Sequence, residues 1–357
     1  MFECILLDSI MKLNGERTVY NILHLLTAKK STQTIQDSNL FGLTNYFGIY
    51  KSLTRQAFNQ EIDRLEYHKL ITVNPDQQTV HVSDRGKVYY QKLMEEQDDY
   101  LQLNGGELHE TAEQFSKHLL LFIQTLTHIH RGNTRFIPII EDVESQQFVK
   151  KVWNNQHQLG TDTILKYLYQ DLTMILENFP DSHAAAFVDS LTSLKKVGLS
   201  RYQIAKKYYI TTHDVYLSFM NIIHAICKAI KTDHHFTFLP QLYPDHKMNK
   251  LLSDSTNQTF YYLKQGLSID EIANVRNLKE NTIKDHIVEI AYIYQELNWS
   301  AYITEQEYLL ISSILKKLES KRLKDIKSQL PDSISYFQIK LVIALGGTKN
   351  VEENHYA

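Results

Sequence analysis

Apolar residues recur along most of this chain every three to four positions, the spacing of a helix face, and only one stretch changes to the alternation expected of strands. There Ile71 and Val73 alternate with polar residues, Asn74-Pro75-Asp76-Gln77 supplies turn chemistry, and Val80 and Val82 alternate on the way back. Before this hairpin lie a helical stretch around Val19 to Leu26, a polar run from Ser31 to Ser38, an aromatic-rich run from Phe41 to Tyr50, and a periodic segment from Thr54 to Leu70 with Phe58, Ile62 and Leu65 on one face. Three helices fit this region. After the hairpin, Ser83-Asp84-Arg85-Gly86 leads into a helix carrying Val88, Tyr89 and Leu93. Helix, helix, helix, hairpin, helix is the order of a winged-helix domain, expected over residues 1–95.

Further along, one pattern occurs twice at a constant offset of 68 residues, from Gly198 to Phe219 and from Gly266 to Ile287. In each copy Gly-Leu-Ser is followed by Ile-Ala, then by an apolar stripe: Ile210, Val215, Phe219 and Ile222 in the first, Leu278, Ile283, Ile287 and Ile290 in the second. Ser200 with Gln203, and Ser268 with Glu271, have the spacing of a capping box, in which serine and residue three positions on satisfy each other's orphaned amides. A helix should therefore begin at each serine. Gly198 and Gly266 suit the left-handed end of a preceding helix, and Ala205 and Ala273 are small enough for the next helix to cross closely. Both copies read as helix-turn-helix units, in residues 181–245 and 246–347. The second departs from the first at Lys279, which stands where Thr211 would cap the third helix, and a lysine neither caps nor suits that positive end.

Between the winged helix and the repeats, residues 96–180 divide by composition. Glu95, Glu96, Asp98, Asp99, Glu107, Glu110 and Glu113 surround Gly105-Gly106 without a Lys or Arg, the composition of an acidic linker, and periodic apolar stretches then follow as a helical connector. The fold class expected is mainly α.

Charge and chemistry narrow the function. The 357 residues carry a net charge of −3, but residues 194–231 hold seven cations against Asp214 alone, and Lys316, Lys317, Lys321, Arg322, Lys324 and Lys327 form a second concentration offset by Glu319 and Asp325. No phosphate-binding loop is present, since Gly86-Lys87 lacks an upstream glycine and Gly346-Gly347 runs into Thr348, and no metalloprotease, nucleophile-elbow, paired-cysteine or dinucleotide motif occurs. An enzyme is the least favoured class, and no cofactor is expected. Cys4 and Cys227 are too few for a disulfide framework, and neither His128 with His130 nor His234 with His235 has companions spaced to share a metal. Trp153 and Trp299 read as core aromatics. No apolar stretch reaches eighteen residues and no signal peptide is visible, so a cytoplasmic protein is expected.

A basic surface on a helical scaffold points to nucleic acid. In the first repeat Thr212, His213 and Tyr216 read as outward positions, backed by Lys195, Lys196, Arg201, Lys206 and Lys207; in the winged helix, Lys51 and Arg55 are placed to meet phosphates, although Glu61, Asp63 and Glu66 share their helix. The outward set of the second repeat, Glu280, Asn281, Lys284 and Asp285, is poorly suited to reading base edges.

The runs from Phe260 to Ala273, Asn281 to Ile287, Arg322 to Lys327 and Ile334 to Tyr336 resemble the helix-turn-helix module on the C-terminal side of bacterial RecQ-family helicases. Gln33 to Asp37 and Tyr46 to Tyr50 resemble the YpbB-like proteins of Gram-positive bacteria, which carry such a module without a motor. The resemblance implies an accessory of a RecQ-type DNA helicase acting on single-stranded or branched DNA. A helix-turn-helix transcriptional regulator and a protein interaction scaffold without DNA binding are the alternatives.

Overall fold

The computed structural model describes residues 1–97, 101–232, 235–244, 252–295, 298–318 and 322–346. Asp98, Asp99, His234, Glu319, Lys321, Gly347 and Thr348, used in the sequence reading, lie outside the described residues.

The N-terminal unit contains α1 (Phe2–Leu13), α2 (Tyr20–Leu26), α3 (Thr32–Leu40), α4 (Arg55–Tyr67), the hairpin β1 (Ile71–Asn74) and β2 (Thr79–Val82), and α5 (Asp84–Gln97). The hairpin is antiparallel with Ile71 opposite Val82 and Val73 opposite Val80, and Asn74 Oδ1 accepts from the Asp76 and Gln77 amides to close the turn. Helix α1 has no counterpart in the sequence reading, and the reason is physical. Phe2, Cys4, Ile5, Leu6, Leu7 and Ile10 are all buried around its circumference, and Asp8 and Ser9 are buried with them, so no single apolar stripe marks it. It is the central rod of the unit. Val88, expected on the apolar face of α5, is instead exposed, and Tyr89 and Tyr90 turn inward to hydrogen-bond Glu3 and Asp8 of α1.

The central region contains α6 (Gly105–Ile129), α7 (Val143–Gln156), α8 (Thr161–Leu176), α9 (Asp181–Asp189), α10 (Arg201–Tyr208) and α11 (Thr212–Thr232). The expected acidic linker ends at once in a helix. A Cβ on Gly105 would lie 2.0 Å from the Phe47 carbonyl oxygen, so this glycine serves close packing of α6 on the N-terminal unit rather than flexibility. Glu110 and Glu113, expected as linker charges, pair with Lys30 and Lys51 of that unit. A boundary at 180/181 does not separate two cores either. Phe115, Leu119 and Phe122 of α6, Val149 of α7, Ile164 of α8 and Ile222, Ile223 and Ile226 of α11 share one. Asp171 of α8 finishes that core by accepting from the backbone amides of Thr237, Phe238 and Leu239 at 3.1, 2.7 and 2.9 Å.

The C-terminal unit contains α12 (Asp254–Lys264), α13 (Ile269–Arg276), α14 (Glu280–Ile293), α15 (Glu305–Lys317), α16 (Leu323–Ser328) and α17 (Tyr336–Ala344) around a third core that includes Trp299. Helix α14 is its axis, buried from His286 to Ala291 among α12, α17 and α3. The chain is thus mainly helical, with one two-stranded sheet among the described residues. No described helix is long and apolar enough to cross a membrane.

Candidate nucleic-acid interface

The 68-residue offset is preserved in the backbone. Ser200 caps α10 and Ser268 caps α13, each through a reciprocal capping box with Gln203 or Glu271. Both helices then end in a left-handed residue, Tyr209 at φ 55° and Asn277 at φ 51°, before α11 and α14 begin at equivalent positions. Ile204, Ala205 and Val215 make a small core with Ala186 of α9. Ile272, Ala273, Ile283 and Ile287 occupy the corresponding places in the C-terminal core. Lys279 stands at the start of α14 with no side-chain cap, whereas Thr211 Oγ1 accepts from the Asp214 amide at the start of α11.

The two glycines differ. Gly266 is left-handed (φ +84°) just after α12, as expected, but Gly198 lies nine residues beyond the end of α9 and has no positive φ. A Cβ there would come within 2.2 Å of the Ser190 carbonyl oxygen, so Gly198 is required by the tight loop packed on the end of α9.

The expected reading face of the first repeat is only partly open. Thr212 is exposed, but His213 and Tyr216 do not point outward as expected. The His213 ring stacks on Phe2 at 4.6 Å and its Nδ1 lies 2.9 Å from the Tyr50 hydroxyl; Tyr216 stacks on Tyr50 at 4.3 Å. Burial lowers the His213 pKa and pushes Tyr216 up to about 12. The N-terminal unit therefore sits on the helix that would enter a groove.

What remains exposed is α10 and the loop before it. Lys195 and Lys206 are exposed, and among the described residues neither has an ion-pair partner. Lys196 and Lys207 are different: both donate to the Asp189 carboxylate, at 2.6 Å for Lys196, and Tyr208 adds a hydroxyl at 3.0 Å. Lys196 first, then Lys207, hold Asp189 down to about 2, and Asp189 in turn raises Lys207. Two aromatics that sequence reasoning left aside belong to this face, Tyr202 at 71% and Tyr209 at 95% exposure. The available signal was their placement: Tyr202 is one helical turn from Lys206, and Tyr209 follows Lys206-Lys207 in the turn. Arg201 lies over the Tyr216 ring at 4.2 Å and lines a cavity together with Lys51.

Lys51 and Arg55 do not join this cluster as a phosphate clamp. Lys51 donates to Glu113 at 2.7 Å, and Arg55 lies 4.1 Å over Tyr20. The wing has Asp76 at its turn and no cation, and its Gln78 carbonyl is tied to the Val19 amide. On the third helix of the second repeat only the first turn is open; Lys284 pairs with Glu280 and Lys340 with Asp285, leaving a balanced surface. His128 and His130 turn to different partners, Asn133 and Thr161.

A family model described as a helix-turn-helix domain matches residues 255–343. Protein YpbB of Bacillus subtilis (strain 168) is 30% identical over 354 residues, covering 99% of this chain and 98% of that protein. The chain belongs to the YpbB family. No solved structure matches it. The similarity to that protein spans all three units, from α1 to α17.

Proposed function

We propose that this protein is a non-enzymatic nucleic-acid-binding accessory that works beside a RecQ-type DNA helicase, gripping single-stranded or branched DNA by its backbone. The observation that carries the reading is the exposure of Lys195, Tyr202, Lys206 and Tyr209 on α10 and its flanking segments while the adjacent α11 is covered. Cations that meet phosphates and aromatic rings on which bases stack favour flexible strands without demanding sequence. The helix-turn-helix match supports nucleic acid as the partner class, and the choice of helicase rests on the resemblance of the sequence from Phe260 to Tyr336 to the module on RecQ-family helicases.

The test is binding of the full chain to forked, single-stranded and duplex DNA across a salt series, with and without a RecQ-type helicase. Lys195→Glu with Lys206→Glu is the variant to use, because among the described residues neither lysine has an ion pair to break. A steep salt dependence that flattens in the double variant is expected; wild-type affinity in that variant would remove α10 from the interface. An operator-reading regulator needs a third helix free to enter a major groove, and His213 and Tyr216 are covered. One sharp motif recovered from random duplexes would nevertheless restore it. Helicase capture that survives nuclease, by a protein that ignores DNA, would favour the scaffold.

A further inference from the structure

Between α6, α9, α10 and α11 lies a cavity of about 360 Å³ that the nucleic-acid reading does not use. Its lining is largely apolar and includes Leu120, Ile140, Phe187, Phe219 and Met220. The exposed side of the lining carries Lys51, Lys117 and Arg201 against one carboxylate, Glu113. Glu113 is shared between Lys51 at 2.7 Å and Lys117 at 3.5 Å, and Arg201 has no carboxylate partner among the described residues. A concave apolar space of this size with a few polar groups at defined places has the make-up of a small-molecule site.

We propose that this cavity binds an amphiphilic carboxylate, whose acid group meets Arg201 and whose apolar body lies against Leu120, Ile140, Phe187, Phe219 and Met220. Three cations against one carboxylate select an anion over a neutral or cationic amphiphile, and Arg201 can take the acid group in its two-pronged donor geometry. A bound molecule would touch Lys51 and Ser52 of the N-terminal unit as well as α10 and α11, and so would bridge the two.

The test is calorimetric titration of the full chain, without nucleic acid, using decanoate, decanol and decyltrimethylammonium as probes. Decanoate should bind at one site per chain at least tenfold more tightly than decanol, and decyltrimethylammonium should not bind. Arg201→Gln should bring decanoate to the level of decanol while leaving decanol unchanged. Equal binding of decanoate and decanol, no saturable binding of either, or full decanoate affinity in Arg201→Gln would overturn the proposal. Unchanged thermal unfolding of the variant separates a lost site from a lost fold.

Discussion

Asp189→Asn should make the protein less stable and a better binder of single-stranded DNA at once. The Asp189 side chain is about 10% exposed and accepts from Lys196, Lys207 and Tyr208, so it stitches the end of α9 to the following loop and to α10. Asparagine keeps the shape and one acceptor but removes the charge. The two ammonium groups are about half exposed and solvent screens the pairs, so the loss should be near 1 kcal/mol rather than the several expected of an enclosed network. The stabilising contribution is present above the ordinary carboxylate range and disappears as pH falls through about 2, so between pH 5 and 8 wild type and variant should differ by a constant amount.

Binding should move the other way. Lys196 and Lys207 are neutralised in the wild type, leaving Lys195 and Lys206 as the free cations of the α10 face. Each additional phosphate contact on a single strand steepens the logarithmic salt dependence by about 0.7, so releasing two lysines should steepen it by up to about 1.4. Fluorescence anisotropy with a labelled oligonucleotide across a salt series, paired with urea unfolding, measures both quantities on one sample. A variant that loses stability but keeps the wild-type salt slope would show that these lysines do not face phosphate. A variant with a shallower slope would show that Asp189 orders the lysines for binding instead of occupying them, and the reasoning would fail.

Three further outcomes follow from the same structure. Tyr209 holds a left-handed conformation with its ring almost wholly in solvent, so Tyr209→Asn should stabilise the chain by up to about 1 kcal/mol in urea unfolding while weakening single-strand binding. Asp171→Ala leaves the Thr237, Phe238 and Leu239 amides without their acceptor and should cost roughly 3 kcal/mol by the same measurement, with Asp171→Asn in between. His224 is enclosed and held down to about 4, first by burial and then by the neighbouring His109, which burial also lowers. The unfolded chain therefore takes up protons below pH 6.5 that the folded chain refuses. Stability should be complete above that pH and fall by about 3 kcal/mol for His224 as pH drops to 4. His224→Gln, which keeps an acceptor for the Asn104 amide, should flatten that decline.

The features legible in the sequence are those whose causes are local. Ser200 with Gln203 and Ser268 with Glu271 needed only a serine and an amide or acid three residues on, and both boxes formed. The hairpin needed alternation and a turn, and its register follows from Ile71 and Val73 sharing a face with Val80 and Val82. Features that depend on a distant segment were misread or missed. Composition around Gly105-Gly106 suggests a linker because it does not reveal the Phe47 carbonyl against which that glycine packs. His213 and Tyr216 have polar atoms and lie off the apolar stripe of α11, so only the arrival of Phe2 and Tyr50 covers them. Asp189 is one acid in a basic region, and nothing in its neighbours' spacing tells that it collects two lysines.

These failures share a cause that bears on what the repeat is for. A helix-turn-helix reads DNA when its third helix has one face on the domain and the other free. Here α11 runs through the molecule, touching α6, α8, α9, α10 and α1, and α14 is packed among α12, α13, α17 and α3. The apolar stripe that identifies each third helix is therefore only part of its buried surface, which extends to polar residues such as Asn221 and His224 on α11 and His286 and Glu289 on α14. These polar groups hold other segments: Asn221 Oδ1 and His224 Nδ1 accept from the Gln102 and Asn104 amides, and Glu289 accepts from Ser253 and Thr256. A helix committed in this way serves as a hub that organises its surroundings. In both copies the second helix, α10 or α13, is left at the surface. Only in the first does a lysine without an ion pair among the described residues, Lys206, lie beside exposed tyrosines, Tyr202 and Tyr209, whereas α13 opens with Asp270 and Glu271. A chimera carrying α13 residues on the exposed positions of α10 should fold, because both helices have the same Ile-Ala inner face and the same cap, and should lose single-strand binding. Retention of binding by that folded chimera would move the interface away from the first repeat altogether.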